Sequence, residues 1–298
     1  MHKVFYSDSY CSTSYSFDTT RKAKWIADSL RNSPIGEIVI EEPTPLTLET
    51  LLETHSVEYV EAVLTGEPWN LASSQGFRWC AGLRDAVLAS NGGVVDAVKA
   101  ALQDGVAGTL SSGLHHARRD AGLGFCTFNG LVIAAKEAIK LGCENVLILD
   151  LDAHGGGGTA SLISGIVRIS HLDLVVDPFD LHDDSIDLSK SSPVDYLTLL
   201  DGVLEGCQPD LCIYNAGMDV AETDCGPPGF DTRVIAAREA TVFAWAAAKR
   251  VPIAYALAGG YTSRDRTREE LIAQHRCTLR TAEYFSRTRK DSEACSAT

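Results

Sequence analysis

The sequence predicts an α/β fold: one domain over residues 1–286, with a mostly parallel central sheet flanked by helices on both faces. Three observations lead there. From residue 104 onward, short continuous apolar runs alternate with segments of helical period, and strands that lack polar alternation belong to sheets covered on both sides. No Pro/Ser-rich linker, repeat or low-complexity block divides the 298 residues. At 45% hydrophobic residues the chain can also fill one large core.

The elements follow in order. Residues 4–6 and 38–40 read as short strands. Residues 21–31 read as a helix with Trp25, Ile26 and Leu30 on one side, and 48–55 and 57–64 as two more. Residues 78–90 and 92–102 read as a helix pair. Strands are then expected at 106–110, 146–149, 167–169, 211–214 and 253–257. Helices are expected at 131–141, 160–164, 196–204, 233–250 and 268–285. Residues 287–298 read as a polar C-terminal tail. The Tyr- and Ser-rich stretch 6–15 is a candidate for the rim of a site.

Charge and cysteines narrow the function classes. With 26 basic and 40 acidic residues the chain carries a formal charge of -14. Such a field argues against nucleic acid and against an anionic membrane as partners. Acidity either favours cationic substrates or simply keeps the protein in solution. Nine cysteines at irregular spacing form no C-x-x-C pair, which fits reduced thiols in a cytosol better than a zinc ribbon or a redox motif. No basic region followed by an apolar run opens the chain, and no apolar run approaches the ~20 residues of a membrane helix. The expectation is a soluble cytoplasmic protein. Its oligomeric state is not legible in the sequence.

The chemistry-bearing side chains follow the apolar runs. His115 and His116 come after 106–110; Asp150, Asp152 and His154 after 146–149; Asp219 after 211–214; Tyr261 after 253–257. In an open parallel sheet the carboxyl ends of the strands share one edge, where ligands bind. If strand geometry continues into Asp150-Leu151-Asp152-Ala153-His154, the period of two puts 150, 152 and 154 on one face. Two carboxylates and an imidazole at that spacing suit a divalent metal. A catalytic zinc takes about three protein ligands and keeps a position open. Asp152 and His154 supply two, and Asp219 is a candidate third. Other readings stand beside these: an N-cap cluster for the Asp/Gly segment, an exposed loop for His115-His116, and packing over a turn for Tyr261.

Five segments together resemble the histone deacetylase and acetylpolyamine amidohydrolase family, with its arginase/deacetylase-like fold. They are Leu114-His115-His116-Ala117, Gly124-Phe125-Cys126-Thr127-Phe128-Asn129, residues 150–159 (a D-x-D-x-H-x-G-x-G-T-like stretch), Asn215-Ala216-Gly217-Met218-Asp219, and Gly259-Gly260-Tyr261. They occur in the family's order over residues 114–261, and weaker similarity covers most of the chain. The resemblance implies a zinc-dependent hydrolase that removes an acyl group, typically acetyl, from the nitrogen of a lysine side chain, a polyamine or a small molecule. It implies that Asp152, His154 and Asp219 hold one zinc per chain, which polarises the amide carbonyl and acidifies water. His116 would act as general base and then acid, with His115 assisting electrostatically and Asp150 holding the His115 tautomer. Tyr261 would hydrogen-bond the developing oxyanion. Gly124 and Phe125 would line the substrate tunnel. A structural potassium would match Asp150, Asp152, His154, Ser170 and His171. The Asp2His set also suits iron.

The sequence departs from that pattern at two glycines. Gly155 stands where the family carries His or a polar residue, and Gly157 where it carries the Asp or Asn that orients the second histidine. We expect water or another residue to take over that task and activity to survive. The segment Thr223-Asp224-Cys225-Gly226-Pro227-Pro228 also differs from the family's D-P pattern, and Cys225 in it is either a reactive thiol near the mouth or a packing residue. Two rival functions remain. An arginase-type ureohydrolase needs a second metal, but Gly156 falls where its next Asp would be, and Val220-Ala221 follows Asp219. A non-catalytic binder of acylated lysine or polyamine has the two glycines as its support.

Overall fold

The structure, a computed structural model, describes residues 1–13 and 17–296. In chain order its elements are β1 (His2–Phe5), α1 (Lys22–Asn32), β2 (Ile38–Glu41), α2 (Leu48–Leu52), α3 (Val57–Thr65), α4 (Trp69–Ala72), α5 (Ala81–Asp104), β3 (Val106–Thr109), α6 (Gly130–Lys140), β4 (Val146–Asp150), α7 (Gly157–Ile163), β5 (Ile169–Val175), β6 (Ile186–Asp187), α8 (Pro193–Glu205), β7 (Leu211–Gly217), α9 (Thr232–Lys249), β8 (Ile253–Ala258) and α10 (Arg268–Ser296). The strands form one sheet in the order β2-β1-β3-β8-β7-β4-β5-β6, and every pairing is parallel. This is the α/β architecture expected from the sequence.

Period two divides each central strand between two cores. Leu147 and Leu149 of β4, Tyr214 of β7 and Tyr255 of β8 enter the core shared with α1, α8, α9 and α10. Val146 and Ile148, Ile213, and Ala254 and Ala256 enter the core shared with α3, α5 and α6. Both faces are thus apolar, which is why these strands read as continuous runs. A fully buried Leu or Ile contributes about 1.5–3 kcal/mol relative to an exposed one, so register here is strongly held.

Three expectations are corrected. Residues 78–90 and 92–102 belong to a single helix, α5, which runs through Gly92-Gly93. A side-chain carbon at Gly92 would collide with the Thr44 carbonyl, and one at Gly93 with the Tyr10 hydroxyl. The glycines mark close approach, not a break. The strand expected at 167–169 begins only at Ile169, where its backbone pairs with Val146, and Val167 is 98% exposed. Of the candidate rim stretch 6–15, Tyr6 and Tyr10 are buried in the core, while Ser14 and Tyr15 lie outside the described residues. Over the expected polar tail, α10 continues to Ser296. Among the described residues no helix is long and apolar enough to cross a membrane.

The carboxyl ends of β3, β8, β7, β4 and β5 share one edge. From β4 the chain leads to β5 on one side, and from the adjacent β7 to β8 on the other, and an open α/β sheet leaves a crevice between two such strands. The loops after these five strands build the candidate site.

Candidate active site

Asp150 ends β4 and is fully buried. Its Oδ2 accepts from His115 Nδ1 (2.8 Å), and its Oδ1 accepts from Asn215 Nδ2 (2.8 Å) and from the Asp152 N–H (3.2 Å). The side chain thus ties the loop after β3 to β7 and to its own strand end. The His115 carbonyl is held from outside as well, by Thr159 N (2.9 Å) and Asn129 Nδ2 (3.2 Å). Asn129 also caps α6 by accepting from Val132 N. Leu114, just before the histidine pair, sits at φ 63, a strained conformation for a branched residue that its surroundings must enforce.

Asp152, His154 and Asp219 converge. His154 Nδ1 lies 3.1 Å from Asp152 Oδ1 and 3.6 Å from Asp219 Oδ2, and one ligand atom from each of the three lies within 4.8 Å of the others. Asp219 Oδ1 accepts from Ala153 N (3.1 Å), whereas Oδ2 is buried without a hydrogen-bond partner. The chemistry of this set fits a cation. Burial and the Asp152 carboxylate push Asp219 up to about 7. Against its own burial, His154 is pushed up to about 12 by Asp152, Cys225 and Asp219. Two carboxylates and an imidazole this close together form a donor set that suits a divalent cation. Cys225, which the sequence left as thiol or filler, places its Sγ 3.6 Å from His154 Nε2, on the far side of the ring from the two carboxylates.

The histidine pair is split electrostatically. His115 Nε2 lies 3.6 Å from Asp152 Oδ1, and Asp150 with Asp152 outweighs its burial and raises it to about 10. Burial and the neighbouring His115 lower His116 to about 4. Environments that push two adjacent titratable groups apart in this way separate an acid from a base. His116 Nδ1 lies 2.8 Å from Asp180 Oδ2, so its Nε2 is the nitrogen left for the cavity. Gly124 covers the ring so closely that a side-chain carbon there would collide with His116 Cδ2.

Tyr261, Gly124, Phe125 and the two histidines line one narrow cavity with Asp152 and His154. Burial, then Asp219 and Asp152, raise the Tyr261 phenol well above 10 and keep it a donor. Phe17 stacks on Tyr261 (5.4 Å between centroids) and packs against Phe125. Phe125 and Phe179 are partly exposed, and Phe179 stands edge-on to both His116 (5.1 Å) and His154 (5.8 Å).

The structure does not bring all the expected residues together. In the parallel register of β4 and β5, Ser170 faces Leu147, while Asp173 faces Asp150. Ser170 is therefore on the opposite sheet face, three residues (about 10 Å) short of Asp150, and the expected potassium set loses it. His171 does share the Asp150 face, with its Nε2 3.7 Å from Asp150 Oδ2. Another group that could take a metal is His171, Asp173 and His182. There, however, Asp173 Oδ2 already accepts from Gly156 N, His182 Nε2 and Ser185 Oγ. Sequence reasoning missed Phe179, Asp180 and Lys22. Lys22 is buried at the start of α1, and its Nζ donates to the Gly259 carbonyl beneath the cavity. Burial lowers Lys22 to about 8 despite Asp219 and Asp152 nearby. No periodicity marks these residues, because each reaches the site from a loop or from an otherwise ordinary helix.

A model of the histone deacetylase domain matches residues 17–182. Histone deacetylase 2 of Arabidopsis thaliana is 33% identical over 185 residues, 57% of this chain and 48% of that protein. An uncharacterized protein of Picosynechococcus is 30% identical over 220 residues, 70% of this chain and 73% of that protein. A probable deacetylase of Archaeoglobus fulgidus is 33% identical over 148 residues, 48% of this chain and 41% of its own length. The match thus spans just under half of the Arabidopsis relative. Among solved structures, the HD domain of HDA15 superposes with a TM-score of 0.75 at 18% identity, covering 95% of this chain and 90% of that one. At that identity the likeness concerns the fold.

Proposed function

The chain belongs to the histone deacetylase family, and from that premise we propose that it is a zinc-dependent amidohydrolase that removes an acyl group, in the simplest case acetyl, from an amine nitrogen. The observation that carries this reading is the convergence of Asp219 on Asp152 and His154, two residues that line one cavity with His116 and Tyr261.

Asp152, His154 and Asp219 would hold the zinc, which supplies Lewis-acid polarisation of the amide carbonyl and acidifies water at neutral pH. The rest of the chemistry belongs to this chain. His116, neutral near pH 7, takes the proton of the attacking water at Nε2 and returns it to the leaving amine. His115, charged and held by Asp150, stabilises negative charge as it develops. The Tyr261 phenol donates to the carbonyl oxygen as that oxygen becomes an oxyanion. Phe125 and Phe179 flank the entrance as apolar walls that suit the methylene stem of an acylated lysine, polyamine or small amine. A structural potassium belongs to the same reading and would be held by Asp150, Asp152, His154 and His171, without Ser170. Eight free cysteines among the described residues suit a reducing compartment, and we place the protein in the cytosol.

The test is product release from acetyl-lysine peptides, acetylpolyamines and small acetamides, with and without a chelator, together with metal content per chain. Chelator-sensitive turnover with one zinc per chain is expected. Two metals per chain would favour a ureohydrolase. Zinc bound with no product from any substrate would favour the non-catalytic binder.

A further inference from the structure

We propose that Asp180 is the positioning residue for His116, delivered by the loop after β5, and that Gly155 and Gly157 are glycines because this loop lies directly on them. The catalytic meaning of this assignment rests on the deacetylase reading; the geometry does not.

His116 Nδ1 lies 2.8 Å from Asp180 Oδ2, and both side chains are 5% exposed. A carboxylate accepts only, so the proton of a neutral His116 sits on Nδ1 and the Nε2 lone pair is directed to the cavity. The carboxylate is itself held. Arg118 bonds its other oxygen through Nη2, and Arg118 Nη1 reaches the His116 carbonyl (3.1 Å). Asp180, Arg118 and the His116 backbone thus form a closed ring of contacts that leaves the imidazole little freedom.

The loop is built to hold this position. Val176 N and Asp177 N both donate to the Ala153 carbonyl (3.0 and 2.8 Å), Gly155 N donates to the Phe179 carbonyl (2.8 Å), and Gly157 N donates to the Asp180 carbonyl (3.1 Å). At the loop's far end His182 and Ser185 bond Asp173. Asp180 itself sits at φ 56, a left-handed conformation that Asp tolerates better than most residues. Pinned by these contacts, the loop crosses residues 155–157 with no room beneath it. A side-chain carbon at Gly155 would come within 2.5 Å of the Asp180 carbonyl oxygen, and one at Gly157 within 2.6 Å of Asp180 Oδ1. A side chain at 157 and the Asp180 carboxylate exclude each other. The missing side chain and the incoming one are therefore one arrangement, with the carboxylate moved from the strand–helix turn to the facing loop.

The decisive experiment is nitrogen-15 NMR of histidine-labelled, zinc-loaded full-length protein, with His116 assigned through His116→Gln. The wild type should show His116 protonated at Nδ1 and bare at Nε2. Asp180→Ala should lose that pattern and broaden the resonance, and Gly157→Ala, which displaces the carboxylate, should do the same. Folding is checked by the resonances of His2, which pairs with Glu283 and Tyr255, and of His275, buried on α10; neither should move. On any substrate that is turned over, Asp180→Ala should lower kcat about 100-fold with KM within about twofold, and formate should restore part of the loss. A proton on Nε2 in the wild type, or an unchanged His116 signal in Asp180→Ala, overturns the assignment. An unchanged signal in Gly157→Ala overturns the explanation of the glycines. If the wild type turns over no substrate, the deacetylase reading falls, while the NMR result still decides the role of Asp180.

Discussion

Arg238 couples the packing of α9 to the geometry of the candidate cation site, and Arg238→Met measures how much. The guanidinium is fully buried. Its Nη1 donates to the carbonyls of Leu151 (3.0 Å) and Gly217 (2.6 Å), one residue before Asp152 and two before Asp219. Its other edge bonds Glu239 Oε1 through Nε (3.0 Å) and Nη2 (2.7 Å), and the same oxygen accepts from Tyr214 (2.8 Å). Replacing Arg238 with Met leaves the Glu239 carboxylate buried without its countercharge and removes a donor from both carbonyls. Breaking a buried pair from one side costs about 3–5 kcal/mol. With an unfolding entropy of about 2 cal/mol/K per residue, a chain of this length should melt about 5–8 °C lower. The double variant Arg238→Met/Glu239→Gln removes the stranded charge and should recover part of that loss. Because Arg238 bridges the two strand ends that carry Asp152 and Asp219, zinc affinity in Arg238→Met should fall by about tenfold or more. The assays are thermal melts followed by circular dichroism and competition against a chromogenic chelator. A melting point within about 2 °C of the wild type, or a double variant less stable than the single one, would refute the reasoning.

Further outcomes follow from the same contacts. Tyr261→Phe removes the donor that the proposed mechanism assigns to the carbonyl oxygen; kcat should fall about 10²–10³-fold while metal content, read by elemental analysis, stays unchanged. Cys225→Ala removes the contact to the outer nitrogen of His154; zinc affinity should drop up to about tenfold, with kcat at saturating zinc within a few-fold of wild type. Glu283, bonded to His2 Nδ1 and the Glu37 N–H, is held below its ordinary 4.5 by those partners against its burial. The folded chain therefore gives up this proton more readily than the unfolded one. The stabilisation is full above that value and is lost as pH falls through 4.5 toward the folded pKa. Denaturant melts at pH 7 and pH 4 should show a smaller acid-induced loss in Glu283→Gln than in wild type, and an equal loss would refute the assignment.

The parts of the protein legible in the sequence are those governed by local rules. Apolar runs without polar alternation announced strands buried on both faces, and the positions of His115, Asp150, Asp152, Asp219 and Tyr261 after those runs announced a common edge. Period two suggested a shared face for 150, 152 and 154; β4 ends at Asp150, and the loop beyond it brings His154 against Asp152. The tertiary structure decided what depends on register and on loops. Pairing of β4 with β5 put Ser170 on the wrong face and His171 and Asp173 on the right one, and no pattern within either strand sets that offset. Gly92-Gly93 read as the gap between two helices, and Gly155 and Gly157 as departures from the family pattern, yet each makes room for backbone or side chain from a distant segment. Asp180 was invisible for the same reason. Its role depends on a loop lying across another loop, a contact made through backbone hydrogen bonds that any residue type can supply, so composition and spacing carry no trace of it.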